Sequence, residues 1–253
     1  MAEKFTLPTE TINLPSKGLL YAKENPLSSG TVEMKYMTAR EEDILTNPNL
    51  LKQGIAIEKV LQALVKSPIN FDDLVLGDRN GLLIAARILG YGAEYLITYT
   101  DPETEITEKV AVDLNQLKEK EVDYTAYENK NEFAFVLPFS KNTVTFKLLT
   151  VGDQKQIDAE IKGLKKANLT AGEITTRLKK QILSVNGDYD PKAVRDFVDN
   201  YLIAKDSIEL RTRIAELTPD IDMTVSIKLS SGKEITDLDL PLTGEFFFPG
   251  SGI

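Results

Sequence analysis

Carboxylates are the side chains in this sequence whose types and spacing could do chemistry. They cluster at Glu41-Glu42-Asp43, at Asp72-Asp73, at Asp188 with Asp190, and at Asp220 with Asp222. Paired acids can hold a divalent cation through oxygen, or split a glycosidic bond across a cleft. The chain has no histidine and no cysteine to help them. Thiolate and imidazole metal sites are therefore excluded, as are a serine–histidine–aspartate triad and a cysteine–histidine pair. Proton transfer would fall to carboxylates, lysines or tyrosines. Asn186-Gly187-Asp188-Tyr189-Asp190 begins like a calcium loop, but Pro191 and Phe197 stand where that loop needs glycine and glutamate. A helix cap explains the segment better, with Asp190 before a first-turn proline. Glu41-Glu42-Asp43 falls in the opening turn of a predicted helix, where acids suit the helix dipole. No phosphate loop or Gly-x-Gly-x-x-Gly fingerprint occurs, and Gly90-Tyr91-Gly92 reads as a helix stop. No catalytic residue, metal ligand or cofactor is assigned.

The elements that would position any such group come next. Residues 1–30 read as an extended arm punctuated by Pro8, Pro15 and Pro26, with a short edge strand before Pro15. Its apolar residues, Leu14, Pro15, Leu19, Leu20 and Tyr21, are candidate contacts for the body or for a partner. Thr31–Met37 alternates as a strand. Thr38 with Glu41 is a capping box, opening a helix that stops before Pro48. Further helices are predicted over Gly54–Val65 and Asn80–Leu89, then a hairpin over Glu94–Thr100 and Ile106–Leu114. Residues 118–130 are polar and charged and read as a linker. Strands follow at Phe133–Leu137 and Thr143–Leu149. Helices follow over Val151–Lys166, from a second capping box at Thr170–Glu173 through Leu183, from Pro191, and over Ser207–Leu217. A hairpin around Ser231-Gly232 comes last.

The fold class is α+β, in two similar halves of strand, helical bundle and hairpin. The domain reading is 1–30 arm, 31–117 first half, 118–130 linker, and 131–253 second half with an aromatic tail. Thr31–Thr38 resembles Thr143–Thr150, which suggests an internal duplication of residues 31–114 as 143–240. Phe246, Phe247 and Phe248 cannot all face one side of a strand. The tail either folds back on its own domain or docks on a partner, since aromatics anchor interfaces.

The net charge is −9, which opposes binding to a phosphate backbone. The basic runs Lys162–Lys166 and Arg177–Lys180 read as solvated helix faces. No apolar run approaches membrane-spanning length.

Leu14-Pro15-Ser16-Lys17-Gly18-Leu19-Leu20-Tyr21, followed by Val32–Leu45 with its Met-Thr-x-x-Glu-Glu-Asp-Ile-Leu turn, resembles the baseplate protein family of T-even-like bacteriophages. Ala85–Gly92, Leu217–Ile221 and Phe246–Pro249 fit as well, while residues 115–140 do not. The resemblance implies baseplate hub subunits and hub-assembly factors without catalytic residues. It implies partners among other tail and baseplate proteins, or copies of the chain itself, and a place in the virion tail or in the host cytoplasm during assembly. In some members the hairpins carry Cys-x-x-Cys knuckles. Here Thr100-Asp101-Pro102 and Ser230-Ser231-Gly232 replace them, so no metal role transfers. The expected function is a structural hub component. The alternatives are an assembly chaperone absent from the mature virion and, more remotely, a carboxylate-based wall-degrading hydrolase.

Overall fold

The computed structural model describes residues 7–167, 172–240 and 244–247. Prolines and capping side chains set where the chain turns. Strand β1 (Thr9–Asn13) stops at Leu14-Pro15 and pairs antiparallel with β2 (Thr31–Lys35), Ile12 opposite Val32. Helix α1 (Ala39–Leu45) starts where the Glu41 carboxylate accepts from the Thr38 amide at 3.0 Å. Helix α2 (Pro48–Gln53) is capped by Asn47 and closed by Gly54 at φ 73°, a conformation that costs a residue without Cβ little. Helices α3 (Ala56–Leu64) and α4 (Leu76–Tyr91) complete the first bundle, and β3 (Glu94–Thr100) and β4 (Thr107–Asp113) form its hairpin.

After the short β5 (Lys118–Glu119), strands β6 (Phe133–Val136) and β7 (Thr143–Phe146) pair antiparallel. Helix α5 (Val151–Lys166) opens at a full capping box. The Asp153 amide donates to the Thr150 hydroxyl at 3.2 Å, and the Thr150 amide to the Asp153 carboxylate at 3.1 Å. Helix α6 (Glu173–Gln181), strand β8 (Ile182–Val185) and helix α7 (Pro191–Asp196) follow, and a π turn over Phe197–Tyr201 leads into α8 (Ala204–Leu217). Strand β9 (Ile221–Asp222) pairs with β5, β10 (Thr224–Lys228) pairs with β11 (Glu234–Asp239), and α9 (Gly244–Phe247) ends the described chain. The fold is α+β, with small antiparallel sheets between helices.

Three boundaries differ from the sequence expectation. Residues 182–185 leave the helix and add an edge to the β6–β7 sheet, Val185 opposite Val144. Ile-Leu-Ser-Val favours a pleated surface once a strand edge is at hand. Helix α4 begins at Leu76 rather than near Asn80, and Gly77 in its first turn lies against Pro219. A Cβ there would lie 1.6 Å from the Pro219 carbonyl oxygen, so only glycine permits this approach. Helix α8 likewise begins before Ser207, at Ala204. The expected capping box at Thr170 lies outside the described residues.

Apolar burial forms two clusters, and each draws on both halves of the chain. The larger joins the arm and first bundle to β6, β7 and the later helices, through residues such as Leu20, Leu64, Phe146 and Leu210. The smaller lies between the two hairpins and is closed by Phe246.

Candidate functional site

The arm residues lie in the chain's own core. Leu14, Leu20 and Tyr21 are buried, Pro15 is buried with them, and Leu19 is half-exposed. A buried carboxylate holds the turn together. Asp78, the third residue of α4, accepts from the Ser16 amide at 2.8 Å, the Ser16 hydroxyl at 2.6 Å and the Tyr21 hydroxyl at 2.5 Å. The Tyr21 oxygen in turn accepts from the Val75 amide at 3.1 Å. Burial is the main cause that raises Asp78's pKa, and burial beside Asp78 also raises that of the Tyr21 phenol, so the phenol keeps its proton and donates it. Gly18 permits the turn at φ 78°, since a Cβ would meet the Ser28 carbonyl oxygen at 2.5 Å.

A second loop repeats this arrangement. Asp206, the third residue of α8, accepts from the Phe139 and Ser140 amides at 2.9 Å each. Burial pushes its pKa up, but the bonds from Ser140 and Phe139 and the charge of Lys141 more than offset this, and the net shift is downward.

The tail is anchored by one ring. Phe246 is fully buried, edge-on to Tyr95 at 5.1 Å between centroids, with the Arg87 guanidinium 5.9 Å from its centre. Arg87 donates to the Gly92 and Glu94 carbonyls at 2.7 and 3.0 Å. Phe247 is half-buried against Phe246, and Phe248 lies outside the described residues.

The acids are placed apart and engaged locally. Glu41 caps α1 and pairs with Lys35 at 2.8 Å. Burial would raise its pKa, and the bonds from Lys35 and Thr38 hold it below the ordinary value. Asp72 pairs with Lys155 at 2.6 Å, and Asp73 accepts from Asn70. Asp190 caps α7, Asp220 accepts from Asn80 and Asp222 from Thr224. Among the described residues, no group of three or more acids could hold a metal ion, and no helix is long and apolar enough to cross a membrane. A cleft of about 630 Å³ is lined by Lys147, Lys179, Lys180 and Arg195 beside Asp153 and Glu160. Its ammonium groups are engaged by Asp153, Asp199 and Gln156.

The family model described as T4 bacteriophage base plate protein matches residues 11–248. The chain belongs to this family. Neither a curated protein nor a solved structure matches it. The matched span takes in both clamped loops, both hairpins and the Phe246 anchor. The chain is thus a phage baseplate protein, and the family points to contacts with other tail and baseplate proteins.

Sequence reasoning missed Asp78, Asp206 and Tyr124. The two aspartates carried a readable signal: Leu-Pro-Ser-Lys at 14–17 and Leu-Pro-Phe-Ser-Lys at 137–141 each follow a strand. Tyr124 and Tyr127 sit in the segment 118–130 that was read as a linker. There β5 pairs with β9, the Tyr124 hydroxyl donates to the Pro15 carbonyl at 3.0 Å, and the Tyr127 hydroxyl donates to the Leu217 carbonyl at 2.6 Å. Two tyrosines in a charged run were the available clue.

Proposed function

We propose that the chain is a structural component of the baseplate hub, acting in tail assembly through protein–protein contacts and without catalysis. The family match over nearly the whole chain carries this reading. The engagement of the acid pairs in caps and ion pairs supports the non-catalytic part, since a glycosidase needs two free carboxyls facing each other across a cleft. In this reading the arm and the aromatic tail meet the partners. Leu14, Pro15, Leu20, Tyr21 and Phe246 hold the shape of those segments, and the partly buried Leu19 and Phe247 are the described side chains left to meet the neighbour.

Quantitative mass spectrometry of purified mature phage beside partly assembled tails tests the proposal. The expected result is a fixed, low copy number in the mature particle. Presence in the intermediates alone would replace the hub subunit with an assembly factor that leaves.

A further inference from the structure

The two aspartate-clamped loops are built alike but covered differently. In each, the lysine amide donates back to the leucine carbonyl, Lys17 to Leu14 at 2.8 Å and Lys141 to Leu137 at 3.0 Å. Each lysine adopts positive φ, 55° and 62°, a strained choice for a residue with a side chain. Each loop's amides are received by a fully buried aspartate at the third position of a long helix. The hairpins that follow those helices also close in the same way. The Leu114 amide donates to the Ala93 carbonyl at 2.9 Å, and the Leu240 amide to the Met223 carbonyl at 2.8 Å.

The first loop has a cover. Tyr124 donates its hydroxyl to the Pro15 carbonyl, and the Lys17 ammonium lies 3.9 Å from the centre of the same ring. One tyrosine thus satisfies a carbonyl and a cation together. The second loop has no such cover among the described residues. No tyrosine donates to the Pro138 carbonyl, no ring lies against Lys141, and both residues are exposed. Around this loop and the start of α8, Val136 is 56% exposed, Phe139 50%, Ile203 47% and Ile208 53%. Apolar residues scattered singly on a surface need no explanation. Here Phe139 is on the loop, Val136 ends the strand that enters it, and Ile203 and Ile208 flank the start of the helix that clamps it.

We infer that the Asp206-clamped loop is a docking surface for another baseplate protein, and that its occupant is an extended segment carrying a tyrosine among acidic residues. The inference rests on the baseplate reading above. The occupant's chemistry follows from the cover of the first loop, Glu121-Val122-Asp123-Tyr124, an acidic run around one ring. The cations beside the open loop agree with it: Lys141 is exposed, and the Lys205 ammonium lies 5.1 Å from the Phe139 ring centre. In a chain of net charge −9, a local pair of lysines suits an acidic partner. The chain's own tyrosine cover is already engaged at Pro15 and Leu217.

The test places photo-crosslinking benzoylphenylalanine at position 139 of the full chain and maps its adducts in assembled baseplates. Lys141→Glu and Phe139→Asp are assembled in parallel, with Lys141→Arg as the conservative variant. We expect adducts on a tyrosine-bearing acidic segment of a different tail protein. We expect incorporation of Lys141→Glu to fall at least tenfold, at a temperature well below its own thermal midpoint, and Lys141→Arg to incorporate normally. Adducts on a second copy, on residues 248–253 of the same chain, or on a segment without tyrosine would overturn the assignment. So would normal incorporation of both Lys141→Glu and Phe139→Asp. Wild-type chain in the same particles separates the two readings: if it is present while the variants assemble normally, the docking surface fails and the baseplate reading stands. If the wild-type chain is missing from every particle and intermediate, both fail.

Discussion

Asp78 and Asp206 do the same work beneath differently covered loops, Ser16 being buried and Phe139 and Ser140 exposed. Asp78 is held by the Ser16 and Tyr21 donors beneath the arm, and the strap bearing Tyr124 lies over the turn. Asp206 has only its loop above it. The opposite directions of their pKa shifts follow from this. Both carboxylates are fully buried, but burial outweighs three hydrogen bonds at Asp78, whereas the bonds from Ser140 and Phe139 and the charge of Lys141 outweigh it at Asp206. A carboxylate that fixes a turn is therefore worth more where water cannot replace it.

The largest effect should come from cutting the deep clamp. Asp78→Ala leaves an amide and two hydroxyls in the dry core without an acceptor, which should cost about 3–5 kcal/mol. Asp206→Ala exposes two amides that water can reach, for about 1–2 kcal/mol. Urea unfolding with an unchanged denaturant slope reads both, and equal losses would break the comparison. Next comes the tail anchor. Phe246→Ala empties a fully buried site between the hairpins and should cost about 3 kcal/mol. Phe139→Ala, on the open loop, should stay within about 0.5 kcal/mol of wild type by the same measurement.

The pH dependence sharpens the contrast because its sign differs. Asp78, facing Ser16, Tyr21 and the charge of Asp220, has a folded pKa above the ordinary value. The folded state then keeps that proton longer, and stability from this group falls as pH rises from about 4 through the folded pKa. Asp206 has a lowered pKa, so its contribution is complete above about 4 and is lost as pH falls through the folded value. Subtracting Asp78→Asn from wild type across a pH series of urea midpoints should reveal the first slope, and Asp206→Asn the second. Two slopes of one sign would mean that the loops do not differ in cover.

The alternation of the hairpins, the capping box at Thr38 and the proline start of α7 were legible because each depends on near neighbours in sequence. What stayed hidden depends on distant contacts. Ile182–Val185 became a strand because β7 offered an edge, and Gly77 is needed in α4 because Pro219 crosses there. Residues 118–130 read as a linker by charge alone, and the two tyrosines of that segment have partners about a hundred residues away. The aspartates were hidden for a related reason. A helix-start acid usually answers the dipole, and nothing local says that it also receives a loop from another element.

The strap makes a modest change in stability and the most direct test of cover. Tyr124→Phe keeps the ring beneath Lys17 and removes only the hydroxyl bond to Pro15, which should cost about 1 kcal/mol. Tyr124→Ala removes the ring as well, and the first loop should then behave like the second. Amide hydrogen exchange can follow this residue by residue, since protection reports local opening. In wild type the Ser16 amide should exchange far more slowly than that of Ser140. In Tyr124→Ala the Ser16 rate should move toward the Ser140 rate while the core strands keep their protection. If Ser16 stays as protected as before, Asp78 and Tyr21 alone seal the turn, and the strap is a consequence of the closed loop rather than its cause.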